Sequence, residues 1–316
     1  MKKICVVIAV LLALSCALSV FAADSPKACM VLSGAINDQS FCQSGYEGLV
    51  GLGEIGFETA FVEQVPATDY EQAIRNFAEQ DCDFILAHGG EFSDPIKNVA
   101  DEFPELQFGC VNCTMTAENL ATAASNDEQL AFLTGVLAAK MSKTGIVGYI
   151  GGMEISPTLR HELGFRQGAE FAGAKCLSTF TGDFVDIAKA KEATLSQIEQ
   201  GMDVNYFYLN LAGSGVLEAC KEDAKCLVIG SIIDQSAGYE DVVIGTAMQN
   251  TGALYVGMGE LFLKGELEGK AYLFGIENDD IARIADLRNV PEDVEKYLDE
   301  VKEQLISGEI ELIRQD

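Results

Sequence analysis

Two histidines, His88 and His161, are the whole imidazole complement of a 316-residue chain that has no tryptophan. A centre assembled from several histidines is therefore excluded. Acid–base chemistry comes down to one pair, His88 with Glu91, whose nearest use is hydrolysis of a glycosidic bond. His161 stands between Arg160 and Glu162 and reads as a solvated helix position. No GxxxxGK(S/T), HExxH or GxSxG signature occurs. Gly51-Leu52-Gly53-Glu54-Ile55-Gly56 matches GxGxxG, but follows a helical pattern and precedes a strand, the reverse of a dinucleotide fingerprint. It reads as a helix C-cap and turn. Ala212-Gly213-Ser214-Gly215 follows a strand and opens a helix, where its backbone N–H groups serve a polar ligand or its glycines serve tight packing. No cofactor and no metal are expected.

Hydrogen-bonding and aromatic residues instead collect where strands end, and in open α/β sheets ligands bind beyond those ends. Asn37, Asp38 and Phe41 follow the first strand. His88 and Gly89 follow the third, and Asn112 the fourth. Tyr206 and Asn210 belong to a later strand and its exit, and Gln249 closes another. Basic groups are few among them, which suits a neutral, flat, polar ligand. Stacking contributes about 1–3 kcal/mol per base and each net hydrogen bond about 1 kcal/mol. One sandwich plus a few bonds therefore reaches about micromolar affinity, near −8 kcal/mol. Each residue also has a plainer role open to it. Asp38 suits a helix cap, Phe41 a core, and His88 a satisfied buried histidine. Tyr206 and Tyr208 share one strand face, so either fits the core.

Short apolar runs alternate with helical patterns along the chain, the signature of parallel sheets covered by helices on both faces. The first set of strands is expected at 29–33, 58–65, 84–87 and 107–111, with helices at 44–52, 70–80 and 94–103. A helix at 127–141 precedes a second set of strands at 145–150, 175–180, 204–209, 226–229 and 242–246. Helices at 157–171, 187–200 and 215–221 alternate with these, and 251–264, 272–276 and 291–304 give a helix, a strand and a charged helix. No flexible linker rich in Pro, Gly or Ser divides the sets, so a hinge of a few close crossings is expected. The fold class is α/β, with two doubly wound parallel-sheet lobes, an arrangement that resembles type I periplasmic binding proteins. The expected division is 24–126 with 249–283 for one lobe and 127–248 with 284–316 for the other. Spacing alone equally permits one larger α/β enzyme.

Asp and Glu number 49 against 21 Lys and Arg, a formal charge of −28. Such a field repels nucleic acid and anionic lipid, so no nucleic-acid partner is expected. Lys2 and Lys3, an apolar run from Ile4 to Leu18 broken only by Ser15, and small residues up to Ala23 read as a secretory signal. Cleavage after Ala22 or Ala23 would release a periplasmic protein; a lipid anchor at Cys16 and an uncleaved anchor helix are the alternatives. Eight cysteines would remain. Cys110 and Cys113 have CxxC spacing but sit in an apolar run, so they read as buried strand cysteines. Cys220 with Cys226 is the favoured local disulfide.

The run Ile36-Asn37-Asp38-Gln39-Ser40-Phe41-Cys42-Gln43-Ser44-Gly45-Tyr46-Glu47-Gly48-Leu49 resembles the first-strand signature of the basic membrane protein family. These are substrate-binding proteins of ABC importers, typified by purine nucleoside receptors. Three more stretches agree: 88–94, 140–154 and 164–168. The resemblance spans nearly the whole chain beyond the signal. It implies a two-lobed receptor that closes on a small molecule, performs no catalysis and delivers its ligand to a membrane ABC permease. It further implies a base held between two rings, here Phe41 and Tyr206, with Asn37 and Asp38 beside it. Several positions depart from the family pattern. Asn112 stands where a carboxylate is usual, Ile232 where the acid of a Gly-Val-Asp turn is usual, Gln249 where lysine is usual, and Cys42 where asparagine is usual. Phe207-Tyr208-Leu209-Asn210-Leu211 replaces a run usually rich in Ala and Gly. These changes favour a free purine base, or another flat polar solute, over a standard nucleoside. A neutral sugar, or service as the sensing subunit of a membrane receptor, are the alternatives.

Overall fold

The computed structural model describes residues 25–37, 41–223 and 226–314. The secretory signal, its Cys16 alternative and Asp38 lie outside the described residues. The first half alternates strands β1 (Lys27–Leu32), β2 (Glu58–Val62), β3 (Phe84–His88), β4 (Gln107–Val111) and β5 (Leu120–Ser125) with helices α1 (Phe41–Glu54), α2 (Tyr70–Ala78) and α3 (Ser93–Glu102). Helix α4 (Asp127–Met141) leads into β6 (Ile146–Gly151), β7 (Lys175–Phe180), β8 (Val204–Tyr208), β9 (Leu227–Ile232) and β10 (Val243–Gln249). Between them lie α5 (Ser156–Phe171), α6 (Ile187–Glu199) and α7 (Gly213–Glu222). Helix α8 (Thr251–Lys264), β11 (Ala271–Phe274), β12 (Ala282–Ala285) and α9 (Glu292–Ser307) complete the chain.

Two six-stranded sheets result, ordered β11-β5-β4-β3-β1-β2 and β12-β10-β9-β8-β6-β7. Every pairing is parallel except β10 with β12. The central strands are continuous apolar runs because helices cover both faces; β3 is buried at all five positions. The chain passes between the sheets three times: from β5 into α4, from β10 into α8, and from β11 to β12. Two strands have no counterpart in the sequence reading. β5, Leu-Ala-Thr-Ala-Ala-Ser, is rich in alanine, and its pairing with β4 and β11 overrides that residue's helical preference. β12 is only four residues long.

Helix α4 is buried nearly all round and packs on α5. The approach is so close that a Cβ at Gly168 would sit 1.9 Å from the Phe132 carbonyl oxygen, which only glycine permits. That seam, with Gly164 against Glu128 and Gly135 against Phe165, sets the second half of α5 on the first half of α4. Glycines 213 and 215 likewise serve packing: a Cβ on Gly215 would lie 2.2 Å from the Ile187 carbonyl oxygen. Gly56, at φ +113, makes the turn after α1, whereas Gly51 and Gly53 lie inside that helix and not after it as the GxGxxG reading expects.

Disulfides join Cys220 to Cys226, as expected, and also Cys29 to Cys82 and Cys110 to Cys113. The last pair involves one correction, to the reading of Cys113 as a strand cysteine. Only Cys110 belongs to β4; Cys113 lies in the turn beyond, where the chain doubles back on it.

Candidate ligand-binding cleft

A cavity of about 410 Å3 lies at the carboxyl ends of both sheets. Phe41, Ser44, Gly90, Glu91, Asn112 and Ser125 line it from the first lobe. Ile155, Pro157, Arg160, Phe184, Tyr208, Asn210 and Ile232 line it from the second, and Asp127, Gln249 and Thr251 at the crossings. A second hollow of about 430 Å3 adjoins it across Ser44, Ile232 and Gln249, lined by charged groups such as Glu47, Asp280 and Arg283 and by no aromatic ring. The aromatic cavity is the one with the chemistry of a binding site.

Each lobe contributes a ring backed by a buried histidine. Phe41, the first residue of α1, stacks on His88 with centroids 3.9 Å apart and planes 25° apart. Tyr208, the last residue of β8, stacks on His161 at 4.1 Å and 21°. Each imidazole meets a buried tyrosine hydroxyl at Nδ1. His88 Nε2 is 2.7 Å from the Phe41 carbonyl oxygen, which can only accept, so that nitrogen carries a hydrogen. His88 Nδ1 lies 2.9 Å from the Tyr255 hydroxyl. His161 Nδ1 lies 2.9 Å from the Tyr206 hydroxyl, and its Nε2 is 3.8 Å from Asp127 Oδ1. Burial pushes His161 down to about 4, with Asp127 pulling the other way, so the ring is neutral at pH 7. Gly45 makes room for His88 beneath α1: a Cβ there would sit 2.6 Å from His88 Cγ.

A polar knot ties the crossings together. Arg160 donates to Asp127 Oδ2 from Nε at 2.9 Å and from Nη2 at 2.6 Å. Its Nη1 donates to Ser156 at 2.8 Å. Asp127 Oδ1 accepts from Ser125 at 2.6 Å and from Gln249 at 2.7 Å. Burial works against the Arg160 charge, and the contact with Asp127 more than restores it, leaving the guanidinium raised. Burial, then Asp127, pushes the Tyr208 phenol well up, so Tyr208 stays neutral. Glu91 accepts from Ser33 at 2.7 Å. The cleft thus presents a matched ion pair, the Glu91 carboxylate, amides and rings. Asn112 and Ile232 both line it with left-handed backbone, φ +61 and +67; for a β-branched residue such as Ile232 that conformation is strained and is found where a site holds it.

The structure sorts the residues expected from sequence. Phe41, Asn112, Asn210 and Gln249 line the cavity. His88 and Gly89 are buried behind that wall, and Asn37 is exposed outside it. Tyr206 is corrected. It is fully buried against Tyr149 and Phe165 with its hydroxyl on His161, one strand step short of the cleft that Tyr208 reaches. His161 is corrected too, because α5 turns that position inward over β8, away from solvent. His88 and Glu91 face different partners, Tyr255 and Ser33. Sequence reasoning missed Ser125, Asp127, Arg160 and Phe184. Ser125 ends β5 and the others follow the exits of β5, β6 and β7, so the strand-end rule, applied at every exit, points to them.

The family model described as ABC transporter substrate-binding protein PnrA-like (Bmp) matches residues 25–316. The chain belongs to this family. Bmp proteins are solute-binding proteins of ABC transporters, and the expected resemblance is thereby established. Basic membrane protein A1 of Borrelia garinii is 25% identical over 296 residues, covering 91% of this chain and 88% of the relative. A purine-binding protein of Brucella abortus is 25% identical over 256 residues, 80% of this chain and 72% of its own. Among solved structures, an ABC solute-binding protein of Conexibacter woesei aligns with TM-score 0.76 at 25% identity, over 92% of this chain and 99% of that one. A transcriptional activator of comK from Bacillus halodurans aligns with TM-score 0.79 at 21% identity, over 90% and 99%; at that identity the likeness shows the Bmp fold alone. The two-lobed α/β architecture is that of type I solute-binding proteins. Among the described residues no helix is long and apolar enough to cross a membrane.

Proposed function

We propose that this protein is an exported receptor that captures a purine base, or a nucleoside built on one, and delivers it to the permease of an ABC importer. The observation that carries this reading is the pair of rings Phe41 and Tyr208, one from each lobe, each stacked on a buried imidazole and each lining one cavity. A planar heterocycle fits between such rings, and Asn112, Asn210 and Gln249 supply donors and acceptors for its edge. Gln249 Nε2 already donates to Ser125 and Asp127. Ile155, Pro157, Phe184 and Ile232 make much of the lobe 2 wall apolar, which suits a planar base, and Arg160, Tyr208 and Asn210 are its hydrogen-bonding groups. The purine-binding relative points the same way. Closure of the lobes about the three crossings would trap the ligand.

The test is native mass spectrometry of freshly purified protein, followed by calorimetry with adenine, hypoxanthine, adenosine, inosine and galactose. A retained purine, or binding of a purine at about micromolar affinity, is the expected result. Binding of galactose with no purine bound at millimolar concentration would overturn the ligand class. Nucleosides cleaved to free base during the incubation would overturn the receptor reading.

A further inference from the structure

The turn that leaves β4 is closed by the Cys110–Cys113 disulfide, and Asn112, which lines the cleft, lies inside that short ring. Asn112 has φ +61, a left-handed conformation that asparagine adopts more readily than other non-glycine residues. Both sulfurs rest against the Gly89 carbonyl oxygen, at 3.7 Å for Cys110 and 3.3 Å for Cys113. The next residue joins the same lacing: Thr114 N–H donates to Ser93 Oγ at 3.1 Å, and Ser93 donates to the Gly90 carbonyl at 2.7 Å. Gly90 backs so closely on this turn that a Cβ there would stand 3.0 Å from the Asn112 carbonyl oxygen. The exits of β3 and β4 are thus one cross-linked unit, and it carries Gly90, Glu91 and Asn112 into the cavity.

The other two disulfides are placed differently. Cys29–Cys82 joins the start of β1 to the residues before β3, at the opposite end of the sheet, and Cys220–Cys226 lies at the end of α7. On loop-entropy grounds a bond between residues three apart constrains the unfolded chain least of the three. Its effect is therefore local.

We infer that the Cys110–Cys113 disulfide is a positioning element of the ligand site, holding the Asn112 turn against Gly89 and Gly90 so that the polar wall of lobe 1 is formed before a solute arrives. The inference rests on the solute-binding reading for its affinity arm only. Preorganisation of this kind raises affinity by removing the cost of ordering a loop on binding.

The test compares wild type with a variant carrying Cys110→Ala and Cys113→Ser, which keeps an apolar group at the buried position. A second variant, Cys220→Ala with Cys226→Ala, is the control. Hypoxanthine and adenosine are the calorimetric probes, and amide hydrogen exchange is followed in the ligand-free proteins. The expected result is about tenfold weaker binding in the first variant, with faster exchange confined to 89–93 and 112–114. Its melting temperature should fall no further than that of the control, whose affinity stays at the wild-type value. A purely structural bond would lower the melting temperature and leave affinity alone, and that outcome overturns the inference. Unchanged exchange over 89–93 and 112–114 overturns it as well, whether or not either probe binds. Failure of wild type to bind both probes counts against the purine reading, and the exchange result then decides the positioning role alone.

Discussion

His161 is buried and neutral with its proton affinity held down to about 4, against an ordinary 6.5. The sign follows from linkage: below pH 6.5 the unfolded chain takes up a proton that the folded protein refuses, so stability falls as pH drops from about 6.5 toward 4. Between pH 7.5 and 4.5 this one ring accounts for roughly 2–3 kcal/mol of lost stability. A His161→Phe variant should lack that component. Denaturant midpoints at the two pH values check it, and an equal loss in both proteins would contradict the buried neutral ring. Its partner gives a second expectation. Tyr206→Phe leaves His161 Nδ1 without its hydroxyl and should cost about 1–3 kcal/mol of stability while leaving ligand affinity within about threefold. The sequence could show that Tyr206 and Tyr208 share a strand face. Which of them ends beyond the sheet edge depends on where β8 stops relative to α5, and no residue type encodes that. His161 misled for a related reason. Its neighbours Arg160 and Glu162 are charged, yet on a helix adjacent residues point in different directions, and the inward one is chosen by the Gly168 seam.

That seam is where element packing controls the site. Gly168→Ala drives a methyl group into the Phe132 carbonyl, so α5 must move off α4. The expected cost is about 1–3 kcal/mol, with weaker ligand binding because Arg160 and His161 ride on α5; thermal melting together with calorimetry checks both. Affinity unchanged in a destabilised Gly168→Ala protein would uncouple the seam from the cleft. Legibility at this scale was uneven. The apolar runs of β1, β3 and β4 and the helical spacing of α8, Thr251–Lys264, were plain in the sequence. β5 was not, because alanines carry no strand signal and its partners lie in β4 and in the distant β11. That omission also hid Ser125 and Asp127, which β5 delivers to the first crossing.

Across the whole molecule, a chain of formal charge −28 surrounds a cleft whose one cation among the described residues, Arg160, is matched by Asp127, with the Glu91 carboxylate also in its wall. An uncharged ligand held there should bind with nearly the same affinity at low and high salt, because screening acts on net charges. A steep loss of affinity with salt would instead indicate an anionic or cationic solute. Ligand at a hundred times its dissociation constant should add about 2.7 kcal/mol of stability, read as a rise in melting temperature. The central claim, that one ring from each lobe clasps a planar solute, is tested most directly by titrating the tightest-binding purine into wild type, Phe41→Ala and Tyr208→Ala. Each alanine variant is expected to bind more than tenfold more weakly than wild type. Equal affinity in all three proteins would contradict the clasp.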